Sequence, residues 1–179
     1  APAYGGSFKS SDGGDSWAEY ATGIAISNSS TVQHLTYSIS LDLTDPLLEG
    51  QLLQFGFSAT ASNFEPSGVF YDNVLVETGP AGGGGTTEYA EDFESLDQAS
   101  PTALGDAGWD VFGNAFEADG TTFLYGYGPF PAPNNTGGFS GIALNEGGAE
   151  QGAQQLVIIS DYNNQDQALG RRIEANTRI

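Results

Sequence analysis

Residues 67–94 read SGVFYDNVLVETGPAGGGGTTEYAEDFE, and no other stretch limits the fold of this chain as strongly. Val69 to Glu77 is rich in β-branched and aromatic residues, which suits a strand. Pro80 and the run Gly82 to Gly85 follow. Proline lacks the N–H that a ladder needs and a glycine run is conformationally loose, so this part reads as a connector. From Glu88 to Phe93 the pattern reads as a first strand again. The middle of the chain therefore looks like the end of one β-domain joined to the beginning of another.

The flanks carry the same code. Residues 1–16 read as loop. Two runs, Trp17 to Ile26 and Val32 to Leu43, are divided by Asn28-Ser29-Ser30. In the second run Leu35, Tyr37, Ile39, Leu41 and Leu43 alternate with His34, Thr36, Ser38, Ser40 and Asp42. A period of two is the mark of a half-buried strand, and Asp45-Pro46 ends it. Gln51 to Ala61 reads as a strand with Leu53, Phe55 and Phe57 on one face. After the connector, 101–108 is a loop with room for one helical turn. Trp109 to Phe116, Thr122 to Tyr127, Phe139 to Leu144 and Gln154 to Ile159 read as strands, the last apolar enough to be central. Gly128 to Gly138 and Asp161 to Gln167 read as loops, and Leu169 to Ile179 as a strand that stops without a turn. Turn formers recurring about every ten residues between short strands favour an all-β sandwich or barrel.

Charge and composition narrow the function. Twenty-three acidic residues face four basic ones, Lys9, Arg171, Arg172 and Arg178, for a formal charge of −19. Such a surface repels nucleic acid and anionic lipid, and no run of about twenty apolar residues offers a membrane span. Neutral polymers and divalent cations are the compatible partners. The bland account of the charge is solubility in a salty exterior. There is no cysteine, hence no disulfide or thiolate chemistry. The abundance of Gly, Asn, Ser and Thr and the single lysine point to an extracellular or cell-surface protein. No methionine occurs, and the chain reads as a processed form or a piece of a larger product.

The motifs Gln54 to Phe57 (QFGF), Tyr71-Asp72-Asn73-Val74, Phe93-Glu94 and Gly108-Trp109 followed by Val111 to Asn114 together resemble jelly-roll β-sandwich modules, like the carbohydrate-binding modules of secreted and surface proteins of marine bacteria. The order departs from that family. The closing half, 1–78, precedes the opening half, 89–179, with the linker 79–88 between them. The resemblance thus implies an antiparallel jelly-roll sandwich with permuted halves. It is completed either within the chain, as in a circular permutant, or by a neighbouring copy, as in a head-to-tail tandem array.

The resemblance also implies a structural calcium between the first and last strands, held by Glu94 and Asp72 with Asp92 or Asn73. Hard oxygen ligands suit calcium, which takes about six to eight of them. The alternative is a set of surface carboxylates at adjacent strand ends. The segment from Asp161 to Asp166 is oxygen-rich but lacks the glycine and distal glutamate of an EF-hand, so a polar turn is the better account. Trp17, Trp109, Tyr125, Tyr127 and Tyr162 are the aromatic candidates for stacking on sugar rings. Core packing is the competing role, and it is favoured for Trp109. Tyr125 and Tyr127, beside a Pro/Gly loop, are the better ligand candidates. Asn28 and Asn134 begin glycosylation-type triplets of the kind that arise by chance in Asn/Ser-rich loops.

No catalytic constellation stands out. His34 is the single histidine, there is no Gly-x-Ser-x-Gly and no phosphate-binding loop, and no pair of carboxylates is singled out for glycosidic chemistry. Two expectations remain: a non-catalytic structural or adhesive sandwich, a repeat or subunit of a surface filament; and, as the alternative, a calcium-stabilised module binding extracellular polysaccharide.

Overall fold

The computed structural model describes residues 3–10, 18–26, 36, 38–61, 67–80, 85–135, 139–148, 151–160 and 172–179. Eleven strands account for most of them: β1 (Ala3–Ser10), β2 (Ala18–Ile26), β3 (Leu52–Ala61), β4 (Ser67–Tyr71), β5 (Val74–Thr78), β6 (Thr86–Glu91), β7 (Asp110–Phe116), β8 (Phe123–Pro131), β9 (Ser140–Leu144), β10 (Gln154–Ser160) and β11 (Arg172–Arg178). One helical turn, α1 (Ala103–Asp106), lies in the expected loop, and a 3-10 turn at Pro46–Leu48 precedes β3.

A six-stranded sheet has the order β2-β1-β3-β11-β7-β8, and a three-stranded sheet the order β4-β10-β9; β5 and β6 form a separate ribbon. Every ladder is antiparallel. The two larger sheets face each other in a sandwich-like arrangement. β10 packs on β3 and β11, and β4 packs on β3. Strands from either side of the glycine connector are neighbours in both sheets: β3 pairs with β11, and β4 with β10.

Alternation explains the inner faces. In β7, Val111, Gly113 and Ala115 are buried and the residues between them are half-buried. β10 sits between two strands and is buried along most of its length, as its apolar run requires. Ala59 from β3, Val111 from β7, Ile142 from β9, and Leu156 and Ile158 from β10 meet Phe93, Leu104 and Trp109 in one core. Full burial of each large apolar side chain contributes roughly 1.5–3 kcal/mol. Trp109, 1% exposed, is the hub. Phe57, Phe93 and Tyr89 surround its ring at centroid distances of 6.2, 5.8 and 6.3 Å, and Tyr71 stacks on Phe57 at 4.1 Å.

Five expectations change. The opening residues are not all loop, because Ala3–Ser10 forms β1 between β2 and β3. Its glycines and serines hide the pattern, and the ladder on both sides supplies the order. The strand expected over Val32–Leu43 is not seen at 38–42, which belongs to no sheet; 32–35 and 37 lie outside the described residues. The alternation is present, but among the described residues no strand pairs with it. The expected Gly128–Gly138 loop begins later, since β8 runs through the cis Gly128–Pro129 bond to Pro131 and stays in register with Asp110. The strand expected to be continuous from Val69 to Glu77 breaks at Asp72-Asn73, where Asn73 has φ 52°. The connector is also shorter than 79–88, because pairing of Thr78 with Thr86 extends the β5–β6 ribbon up to it.

Candidate functional site

Two clusters hold six of the residues singled out above, Asp72, Asn73, Asp92, Glu94, Tyr125 and Tyr127. The first is an acidic junction where the β4–β5 bend meets the turn after β6 and the start of β10. The left-handed conformation of Asn73 suits an Asn at a sharp bend. Its backbone N–H donates to Asp72 Oδ1 at 2.7 Å, and its side-chain Nδ2 donates to Gln151 Oε1 at 3.2 Å. In the opposing turn Phe93 is also left-handed, at φ 60°. A bulky residue there is strained. The compensation is local: Glu91 Oε1 accepts the Phe93 N–H at 2.7 Å and the ring drops into the core. Asp92 Oδ1 accepts the Glu94 N–H at 3.1 Å.

Glu94 latches this turn to β10. Its Oε1 accepts the N–H groups of Ala153 and Gln154 at 2.6 and 2.8 Å, while Gln154 Nε2 donates to the Glu94 and Leu96 carbonyls at 3.0 and 3.2 Å. The carboxylate lies on Gly152, where a Cβ would sit 2.2 Å from Oε1. Only glycine leaves that space, and its φ of +63° suits glycine as well. Asp72 is half-buried, and its pKa is raised. Desolvation is the main cause, with the charges of Glu94 and Asp92 adding to it; the Asn73 N–H and the Gln155 amide oppose the rise.

The structure thus brings Asp72, Asn73, Asp92 and Glu94 into one neighbourhood, drawn from both sides of the connector. Their oxygens are the hard donors that calcium takes, and each of the three carboxylates has a second oxygen besides the one bonded to backbone N–H. The donor chemistry fits the ion. A converged cage is not formed, for among the described residues no three acidic or histidine side chains stand within metal-holding reach of one another.

The second cluster is an aromatic ledge on β8. Tyr125 is exposed, Tyr127 half-buried, and Phe139 leans on Tyr127 and Phe130 at 5.1 and 5.5 Å. Tyr127 lies flat on its ladder partner Gly113, where a Cβ would come within 2.2 Å of the ring. Burial, then the nearby Tyr125, pushes the Tyr127 phenol up to about 12. Tyr127 is therefore partly a packing residue, and Tyr125 the more open face. Trp109 is in the core. Trp17, Tyr162 and His34 lie outside the described residues, as does the segment from Asp161 to Asp166.

Sequence reasoning missed the amide side chains. Asn134 Nδ2 donates to the Gln98 and Ser100 carbonyls at 2.7 and 2.9 Å, and its Oδ1 accepts the Ile142 N–H at 2.8 Å. It is a clamp between the 98–100 turn and β9, not an open glycan acceptor. Gln155 accepts the Glu146 N–H at 2.9 Å and donates to the Gln151 carbonyl at 2.7 Å. The signal was two glutamines opening an otherwise apolar strand, since a buried amide must find partners. In comparison with known proteins, the chain matches no family model, no curated protein and no solved structure.

Proposed function

We propose that this chain is a non-catalytic, extracellular structural or adhesive protein whose segments before and after the glycine connector complete one jelly-roll sandwich in permuted order, and which assembles head-to-tail with copies of itself. The observation that carries the reading is strand pairing across the connector, β3 with β11 and β4 with β10. Ala59, with half-buried Phe57, Val69 and Tyr71, brings the first side into a core whose other buried residues follow the connector. A joint rich in glycine between the two halves would allow the same pairing inside one chain or between neighbours, and the second option propagates without closing. The charge of −19 suits a solvated exterior and disfavours nucleic acid and anionic membranes as partners. Electron microscopy and sizing of the purified chain over a range of concentration test the proposal. Filaments or a concentration-dependent ladder of oligomers are expected; a strict monomer at every concentration refutes the assembly part.

A second reading has its own support in the aromatic ledge and the acidic junction. In it the chain is a calcium-stabilised module that binds neutral polysaccharide. The ring of Tyr125 offers a face to the C–H side of a sugar, and a cation among Asp72, Asp92 and Glu94 would offset the repulsion felt by Asp72. A glycan array with the unmodified protein and with Tyr125→Ala tests it. Binding that the substitution weakens about tenfold or more is expected, in line with loss of one stacked aromatic contact; absence of binding to any neutral glycan refutes it.

A further inference from the structure

Four non-glycine residues among those described are left-handed: Asn73, Phe93, Phe139 and Asn145. Asparagine tolerates that conformation and a bulky aromatic does not. Phe93 is compensated by full burial of its ring. Phe139, at φ 61°, is not, for its ring is 40% exposed. Its neighbours hold it there. The Ile159 N–H donates to the Phe139 carbonyl at 2.8 Å. The next residue, Ser140, is tied twice: its carbonyl accepts the Asn135 N–H at 2.9 Å, and its hydroxyl donates to the Pro133 carbonyl at 2.8 Å. Backbone strain that the surroundings impose in this way clusters at ligand-binding positions.

The place of the ring in the fold fits such a use. Phe130, Tyr127 and Tyr125 pair with Val111, Gly113 and Ala115, the buried residues of β7, so the three rings lie along one face of β8. Phe139 stands edge-on to Tyr127 and Phe130, at centroid distances of 5.1 and 5.5 Å and interplanar angles of 63° and 88°. Tyr125, 42% exposed, precedes Tyr127 on the strand, away from Phe130. Two open rings, Tyr125 and Phe139, thus flank the half-buried Tyr127. Tyr125 is about 7 Å from Tyr127 along the strand, and Phe139 adds its own 5.1 Å on the Phe130 side. One sugar ring cannot cover both.

The chemistry of the ledge narrows the occupant. β8, with sequence FLYGYGPFP, carries no charge, and the chain as a whole repels anions. Tyr125 and Tyr127 carry hydroxyls beside their apolar rings, and a purely apolar occupant would strip water from them without returning a hydrogen bond. A neutral ligand with apolar C–H faces and a rim of hydroxyls satisfies both.

We infer that Phe139 is a second ligand-contacting ring, and that the ledge takes a run of at least two linked sugars of a neutral polysaccharide. The inference rests on the polysaccharide reading above and gives it a second contact and a minimum length.

Affinity electrophoresis of the whole chain through gels holding soluble β-glucan, xylan or galactomannan tests it. Retardation of the parent in at least one gel is expected. Phe139→Leu keeps an apolar side chain against Tyr127 and Phe130 but has no ring face. It should weaken binding about tenfold, the usual loss of one stacked contact, with the melting temperature little changed, while Phe139→Tyr should keep the parent's affinity. Phe139→Gly should lose binding too, yet melt higher than Phe139→Ala, because glycine takes the left-handed conformation freely. Titration with sugars cut from the retarding polymer should show affinity rising at least tenfold from the single sugar to longer pieces. Parent-like binding by Phe139→Leu, with Tyr125→Ala still weakening it, overturns the inference alone, as does a single sugar bound as tightly as the polymer. A parent that no gel retards overturns the polysaccharide reading as well, and its retention on a phenyl-bearing matrix would then name an apolar partner instead.

Discussion

Asp72 and Asp119 show how one side-chain type takes opposite roles. Asp119 is fully exposed, and the Thr122 hydroxyl, followed by the Thr122 and Thr121 N–H groups, lowers its pKa to about 2. A lowered folded pKa means stability that is present above the unfolded value and lost as pH falls through the folded one. The parent is therefore expected to lose stability between about pH 4 and 2, and Asp119→Asn to cancel that loss, as read from urea midpoints at stepped pH. Asp72 has the reverse sign. Its raised folded pKa favours the protonated form, so its contribution is fullest below the unfolded value of 3.8 and declines as pH rises through the folded pKa. Asp72→Asn should stabilise the calcium-free protein at pH 7 relative to the parent. If calcium binds there, the same substitution should abolish the rise in melting temperature that calcium gives the parent. A destabilised, calcium-free Asp72→Asn protein at pH 7 would contradict this account of the junction. At the hub, Trp109→Ala should lower stability by about 3–5 kcal/mol, the usual result of emptying a large aromatic site, measured by urea unfolding.

Among the elements, β7 and β8 depend on the pairing of Gly113 with Tyr127. The ring occupies the space where any larger residue would carry its Cβ. Gly113→Ala should destabilise by about 1–3 kcal/mol through overpacking. Combined with Tyr127→Ala it should add less than the sum of the two changes, because both act on one contact. A double-mutant cycle with no coupling would remove this reading of the pair. The β5–β6 ribbon has its own constraint, for a Cβ on Gly85 would stand 2.0 Å from the Thr78 carbonyl oxygen, a backbone atom that cannot rotate away. Gly85→Ala should therefore open the ribbon locally. Amide exchange of residues 86–91 is expected to accelerate while the β10 amides stay protected, since local opening does not need global unfolding.

Across the whole molecule, strands from both sides of the connector share both larger sheets, so the two sides are expected to fold as one unit. Chains covering 1–78 and 89–179, each made alone, should lack a fixed near-ultraviolet signal, and mixing them should restore it. Half a sandwich leaves an apolar face and open edges that it cannot cover. Two halves that are each folded and indifferent to mixing would break the proposal. The proposed calcium belongs to the same scale, because its candidate ligands come from both halves. Chelation should lower the melting temperature by several degrees, as removal of any ligand specific to the folded state does; an unchanged melt would withdraw the ion.

Much of this was written locally. The strands at 18–26, 52–61, 110–116 and 154–160, the breaks around Pro46 and the glycine run, the core position of Trp109 and the all-β class follow from side-chain alternation, β-branching and turn residues, which act over a few neighbours. What the chain could not declare in one dimension is which strands are neighbours. β1 was hidden because its order comes from the ladders on both sides and not from its own glycines and serines. Residues 38–42 kept a strand's pattern without a strand's partner. Glu94, Gln155 and Asn134 found roles only when segments 8 to 60 residues apart in sequence were folded together. Hydrogen-bond partners and the burial of a carboxylate are properties of three-dimensional neighbourhoods, so the tertiary structure alone decided them.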